Sequence, residues 1–435
     1  MIRGLIRGLY SGLWYLLVPI LFSYLWWRGR VAPGYRQRWA ERMAWGYRQQ
    51  RLKQSIWVHA VSVGETLAAA PMIEALLSRY PHIPLVITTT TPTGSERVTA
   101  LFGDRVTHVY CPWELPGALR RFLHAFDPRL VIVLETELWP NMVKAVDDYG
   151  ARVILMNGRL SAKSYRGYRR FASLMTPMMQ RFDALAVQTA VEAERFIALG
   201  ARTPRVHVIG SVKFDIHVNP AIAAQAAALR QEWGSRGVWL AASTHPGEDA
   251  PVLAAHQKLL NIQPDALLVL VPRHPERFDT VAAMIRSVGL NMARRSRAEA
   301  VLPDTHVYLA DTMGEQPMLF GTCDVAFVGG SLVPVGGHNV LEPAARGKPI
   351  ITGPYLHNFT AIADLLESAG GMTVVTDESV LPKHLLALMG DKARQQRQGA
   401  AAEMVVNENR GALERGMGLI DQYLAETTDA SSGKH

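Results

Sequence analysis

The side chains best placed to do chemistry are acids that follow short apolar runs. Glu65 comes after the run 56–60 (Ile-Trp-Val-His-Ala) and the turn Ser62-Val63-Gly64, where a helix begins. A helix N-terminus carries free amides and positive potential, which would stabilise a carboxylate placed there. The same position also suits a glutamate that only supports the helix, and His59, inside the run, reads as a satisfied core histidine. Glu135 and Glu137 end the run 130–134 in Glu-Thr-Glu-Leu-Trp-Pro-Asn, and Pro140 suits a first helical turn. Alternation along an extended chain would put both carboxylates on one face. One could then take a proton while the other holds a cation or a loop; a plain loop network fits the same residues. Lys213, in Gly-Ser-Val-Lys-Phe-Asp, could meet a phosphate or developing negative charge, or simply stand in solvent.

A second group lies further along. Pro272-Arg273-His274-Pro275 follows the run 267–271, so Arg273 is placed to grip a phosphate as a two-pronged donor. Met313-Gly314-Glu315 opens a helix after the run 307–309 and offers backbone amides to an anion. Gly329-Gly330-Ser331 is followed by Gly336-Gly337-His338-Asn339-Val340-Leu341-Glu342-Pro343. A glycine-rich loop entering a helix can bring amides close to a phosphate, and Glu342 could accept from ribose hydroxyls. Loop, helix and early glutamate together point to a nucleotide-sugar site. Neither GxxxxGK[ST] nor GxGxxG occurs, which argues against a kinase or a dehydrogenase, and no HExxH spacing is present.

These residues need a scaffold, and the apolar runs supply it. Runs at 56–60, 85–89, 106–110, 130–134, 153–156, 185–187 and 206–209 alternate with helical stretches. The rhythm restarts after about residue 220, with runs at 238–242, 267–271, 307–309, 325–328, 349–351 and 373–375. Continuous Val, Ile and Leu runs suit parallel sheets covered on both faces. The expectation is an α/β protein of two doubly wound domains facing a cleft, with ligands outside the carboxyl ends of the strands. With 49% hydrophobic and 19% charged residues, the 435-residue chain has apolar material for large cores, which argues against disorder. Cys111 and Cys323 are far apart and lack a CxxC, so they read as reduced thiols of a cytosolic compartment.

The net charge of +8 suits nucleic acid, an anionic membrane or anionic substrates. No lysine-rich block with interleaved aromatics occurs, which leaves nucleic acid as the least supported. Residues 8–27 carry no charge and are long enough to cross a bilayer core as a helix. Arg3 and Arg7 precede them, Arg28, Arg30, Arg36 and Arg38 follow, and Tyr10, Trp14, Trp26 and Trp27 suit the headgroup level. No small-residue cleavage site follows, so the expectation is an uncleaved anchor. The heavier basic charge after it puts the bulk of the chain in the cytoplasm. Pro19 also allows a shallow, kinked insertion.

Seven blocks, in order, resemble the Kdo (3-deoxy-D-manno-octulosonic acid) transferases of Gram-negative bacteria. They are WVHAVSVGETLAAAPMIEAL, ETELWPNM, GRLSAKS, GSVKFD, STHPGED, VPRHPERF and GGSLVPVGGHNVLEPAARGKPIITGP. The resemblance implies a GT-B fold and transfer of Kdo from CMP-Kdo to the lipid A precursor, lipid IVA, with inversion. It implies Glu65 as general base, and Glu135 and Lys213 as stabilisers of the transition state. It assigns CMP to Pro272, Arg273, Met313, Gly314, Glu315, Asn339, Val340, Leu341 and Glu342, with no metal ion and no cofactor besides the donor substrate. The expected division is an anchor at 1–30, an acceptor domain at 31–212 and a donor domain at 213–405. Residues 406–435 are expected as a helix returning to the first domain, with a polar tail. The expected location is the cytoplasmic face of the inner membrane. Arg159, Lys163, Arg166, Arg169 and Arg170 could attract acceptor phosphates, or form a solvated basic face. Two rival readings remain: a sugar-nucleotide epimerase, and a non-catalytic membrane-bound protein that binds lipid or nucleotide. No motif sets the number of Kdo residues added.

Overall fold

Every expected apolar run becomes a strand, and most of them are covered on both faces. The computed structural model describes residues 2–47, 51–216 and 218–432, so the last three residues of the polar tail lie outside it. The chain separates into two compact units, Met1–Val212 with Gly411–His435, and Lys213–Arg410.

Unit 1 holds β1 (Ser55–His59), β2 (Leu85–Thr89), β3 (Thr107–Tyr110), β4 (Pro128–Leu134), β5 (Arg152–Gly158), β6 (Ala184–Val187) and β7 (Val206–Val208). They form one sheet in the order β3-β2-β1-β4-β5-β6-β7, and every pairing is parallel. Side chains alternate across it. Trp57 faces a layer containing Phe122 and Phe126, while Ile56 and Val58 face a layer containing Ile73 and Leu76. Removing such a side chain from water stabilises by roughly 1.5–3 kcal/mol. The C-terminal helix Ala412–Ser432 adds Met417, Ile420 and Leu424 to that second layer.

Unit 2 repeats the plan with β8 (Val238–Thr244), β9 (Leu267–Pro272), β10 (Met292–Arg294), β11 (Val307–Leu309), β12 (Val325–Val328), β13 (Ile350–Thr352) and β14 (Met372–Val374). The order is β10-β11-β9-β8-β12-β13-β14, again with parallel pairings. The edge strand β10 is not among the expected runs. Its three residues, Met-Ala-Arg, lie among arginines and carry no apolar signature.

The N-terminal helix runs over Ile2–Arg28. Its stretch Gly4–Arg28 is long and apolar enough to cross a membrane, with mean hydropathy 1.5. One face of this helix is packed on unit 1. Trp14 and Val18 join the core layer around Phe122, and the Tyr10 hydroxyl donates to Glu114 Oε2 at 3.0 Å.

Candidate functional site

In each sheet the connections leave in opposite directions on either side of one strand pair, opening a crevice at the carboxyl ends. In unit 1 that pair is β1 and β4, and the strands lead into Glu65 and Glu135. Glu65 lies in the first turn of the helix Val63–Arg79, whose N-cap is Ser62. The carboxylate accepts from the Val61 amide at 2.8 Å and the Ser62 hydroxyl at 3.1 Å, while the Glu65 amide donates to Ser62 Oγ at 3.4 Å. This is a reciprocal cap, so Glu65 helps to fix the helix whatever else it does. Burial pushes its carboxyl up to about 7. The Val61 hydrogen bond acts against that shift, and the charges of Glu137 and Glu135 reinforce it. Each carboxylate oxygen keeps a second lone pair, so the group can still accept a proton.

Glu135 and Glu137 reach the same place by a route the sequence did not suggest. The chain after β4 is not extended: Glu135 has φ 53° and stands in a turn, its amide bonded to Met156 O at 2.9 Å. Strand alternation therefore ends at Leu134. Glu137 accepts from Trp139 Nε1 at 2.7 Å, and its carboxyl is raised by burial and further by Glu135. Beside them, past the end of the Met156 pairing, Asn157 is 1% exposed with φ 55°. Its side-chain amide N and O have no hydrogen-bond partner among the described residues. Strained, unsatisfied groups of this kind concentrate at functional sites. His59, by contrast, is a core residue bonded to Thr88 Oγ1 at 2.9 Å, pushed down to about 4 by burial.

In unit 2 the crevice lies between β8 and β12. His245 follows β8, and its Nε2 lies 2.8 Å from Nε2 of His338, on the glycine-rich loop after β12. The two rings stack with centroids 5.1 Å apart, and His274 meets His245 edge-on at 5.2 Å. One imidazole of the stacked pair must donate and the other accept. Burial, with His245 and Arg273 nearby, pushes His338 down to about 4. Arg273 is exposed, and no hydrogen-bond partner for its guanidinium occurs among the described residues. Arg277 is committed inward, donating to Thr244 O at 2.6 Å and pairing with Asp249.

The first part of the glycine-rich loop does not cradle a phosphate. The amides of Gly330, Ser331 and Leu332 donate to the buried carboxylate of Glu248 at 2.7, 2.9 and 2.9 Å, and the His245 amide does so at 2.8 Å. An internal anion already fills that nest. Glycine is required at 329, where a Cβ would stand 2.7 Å from Ser243 O and 2.9 Å from Glu248 Oε2. The later part, Gly336 and Gly337 with φ 108° and 77°, leads through His338 to Asn339. Asn339 Oδ1 accepts from the Leu341 amide at 3.1 Å, and its Nδ2 donates to Glu342 Oε1 at 3.1 Å. Burial raises the Glu342 carboxyl. The helix it enters is a single turn, Leu341–Ala344.

The other expected donor residues are placed unevenly. Pro272 ends β9. Val340 and Leu341 are fully buried, so only their backbones could meet a ligand. Met313 is exposed and Gly314 has φ 83°. Glu315 is engaged, paired with Arg295 at 2.8 Å and accepting from the Thr312 hydroxyl; Arg295 above all holds its carboxyl below the usual range. Lys213 belongs to unit 2, in the turn Val212–Phe214, with its ammonium 5.6 Å from the Phe359 ring. The basic residues Arg159, Lys163, Arg166, Arg169 and Arg170 are exposed.

A family model described as 3-Deoxy-D-manno-octulosonic-acid transferase (kdotransferase) matches residues 37–216. A 3-deoxy-D-manno-octulosonic acid transferase of Haemophilus influenzae is 40% identical over 421 residues, covering 96% of this chain and 99% of that one. The chain belongs to the 3-deoxy-D-manno-octulosonic acid transferases. It is therefore a glycosyltransferase. The fold agrees: a glycosyltransferase from Rickettsia africae superposes with TM-score 0.53 at 12% identity, over 86% of this chain and 99% of that one. A UDP-GlcNAc 2-epimerase from Neisseria meningitidis superposes with TM-score 0.55 at 13% identity, over 86% and 100%. The two likenesses show a shared GT-B-like architecture and nothing about chemistry.

Three features of this Kdo transferase were not assigned from sequence. Glu248, inside STHPGED, orders the glycine-rich loop from within. The imidazoles His245, His274 and His338 gather because each follows a strand near one crevice. Asn157 precedes the block GRLSAKS. The signal in the sequence is position after a strand, which applies to imidazoles and amides as it does to acids, arginines and glycines.

Proposed function

We propose that this protein moves Kdo from CMP-Kdo to a hydroxyl of the lipid A precursor, lipid IVA, with inversion and with Glu65 as general base. Glu65 takes the proton of the acceptor hydroxyl, the oxygen bonds to the anomeric carbon of Kdo, and the bond from that carbon to the phosphate breaks. CMP leaves with the bonding pair. The observation that carries the reading is a carboxyl pushed up to about 7 at the β1–β4 switch point. A base of that strength suits proton transfer at neutral pH and typically contributes ~10²–10⁴-fold in rate. Glu135 and Lys213 act as stabilisers of developing charge. The single phosphate of CMP is met by Arg273 and the amides around Gly336, with no bound metal ion, and Asn339 to Glu342 face the nucleoside. Pro272 and the segment Met313 to Glu315 complete the donor site. The N-terminal helix holds the enzyme to the cytoplasmic face of the inner membrane, where the acceptor lies.

The test supplies a CMP-Kdo generating system and tetraacylated lipid A precursor to the full-length protein and reads product masses. The expected product is the acceptor carrying at least one Kdo. A donor consumed with no Kdo on the lipid would refute the acceptor.

A further inference from the structure

The N-terminal helix has two faces. Tyr10, Ser11, Trp14, Val18 and Phe22 turn toward unit 1. Ser11 Oγ donates to Asn141 Oδ1 at 3.1 Å, and the rings of Trp14 and Phe22 meet Trp139 and Trp113 at 5.9 and 4.8 Å. Leu5, Leu9, Leu13, Leu16, Ile20 and Trp27 are exposed, and their spacing lines them up as one outward stripe.

At the N-terminal end of this helix, unit 1 contains a cavity of about 560 Å³. Arg7 of the helix lines it, together with Lys144, Arg152, Arg181, Arg202 and Arg205; the carboxylates on the wall are Asp147 and Asp183. Six cations against two anions leave an excess of four positive charges. Arg181 pairs with Asp147, Arg152 pairs with Asp183 at 2.8 Å, and Arg205 donates to Phe182 O at 2.8 Å. Lys144 pairs with Asp148. Arg7 and Arg202 have no hydrogen-bond or ion-pair partner among the described residues. Leu174, Pro177 and Met178 supply an apolar wall.

The cavity is not the catalytic crevice. Arg152 opens β5, Asp183 precedes β6 and Arg205 precedes β7, so these residues mark the amino edge of the parallel sheet. Glu65 and Glu135 stand at the carboxyl edge.

We propose that this cavity binds the phosphate headgroup of an anionic glycerophospholipid of the membrane. Arg7 and Arg202 meet the phosphate, the apolar wall meets the glycerol and first methylenes, and the outward stripe, which starts at Leu5 beside Arg7, places the acyl chains. Basic pockets beside membrane helices take anionic headgroups in this way. The proposal rests on the N-terminal helix being a membrane helix, and its test separates the two.

The full-length protein is mixed with phosphatidylcholine vesicles, with or without phosphatidylglycerol, each carrying a photoactivatable analogue of one lipid. Cross-linked peptides are then mapped. The expected result is binding to both vesicles, with phosphatidylglycerol labelling at the helix Ala172–Met179. Arg7→Gln with Arg202→Gln should reduce that labelling at least about tenfold, since a cation near an anionic surface contributes ~1 kcal/mol. Arg394→Gln with Arg397→Gln, an equal charge loss on unit 2, should leave it unchanged. Arg202→Gln alone should give an intermediate loss and guards against misfolding of the double variant. Equal labelling by phosphatidylcholine, or loss of labelling with millimolar inorganic phosphate, would overturn the lipid site while leaving the membrane helix intact. Failure to bind either vesicle would overturn the membrane helix itself.

Discussion

A glutamate can cap a helix and still serve as a base, and at Glu65 the two roles separate by ionisation. The cap is made by oxygens that accept from Val61 and Ser62, while the base needs the ionised form. With the carboxyl at about 7, kcat/KM for transfer should climb as pH rises toward 7 and level off above it, and initial rates across pH check this. A flat profile from about pH 5 to about pH 8 would assign the rate to another group. Arg273 is the second residue whose state matters. Its guanidinium has no hydrogen-bond partner among the described residues, whereas Arg277 is locked between Thr244 and Asp249. Arg273→Ala should therefore weaken inhibition by CMP roughly 10- to 100-fold, the loss of ~1.5–3 kcal/mol for a charged hydrogen bond. Unchanged inhibition would place the phosphate elsewhere.

At the scale of elements, the C-terminal helix is a structural part of unit 1. Ile420 is fully buried against the sheet, and the Arg79 pairs to Glu414 and Asp421 lie at its solvent side. Ile420→Ala should cost ~2–5 kcal/mol in urea unfolding, and Arg79→Ala distinctly less, because exposed pairs are screened by water. Strands were legible wherever both faces are buried, because such runs are continuously apolar: β1, β4, β8 and β9 stand within two residues of the runs that announce them. β10 was not, since an edge strand of three residues needs no such run. That Glu65 follows β1 and Arg273 follows β9 was legible from the apolar runs before them. The turn at Glu135 was not, because a positive φ at a glutamate depends on the neighbouring strand, here through Met156 O. Nor could the glycines at 329 and 330 disclose that Glu248 fills the loop they build, since that contact joins residues 82 positions apart.

Across the whole molecule, buried ionisable groups set the pH range of stability. His59, His108, His256 and His338 are each held down to about 4, mainly by burial. Between about pH 4 and 6.5 the unfolded chain binds protons that these folded imidazoles refuse, so their contribution is complete above 6.5 and is lost as pH falls. Glu65 and Glu114, both raised to about 7 by burial, act in the opposite sense, losing stability as pH rises from about 4.5 through 7. Glu137 and Glu342, also raised by burial, add to the carboxyls, and His207, His245 and His384, also lowered by burial, add to the imidazoles. The imidazoles are the more numerous, so the melting temperature should be lower near pH 5 than near pH 6.5; the reverse order would mean that the carboxyls dominate.

In the proposed reaction Glu65 is the group that takes the acceptor's proton. The most direct test of that role is single-turnover transfer by Glu65→Gln, with CMP-Kdo binding and thermal unfolding measured in parallel. Glutamine can still accept from Val61 and complete the cap, so the expected result is unchanged binding, a similar melting temperature and a transfer rate lower by ~10²–10⁴-fold. Transfer within about threefold of the unaltered enzyme would contradict it and leave Glu65 as a helix cap.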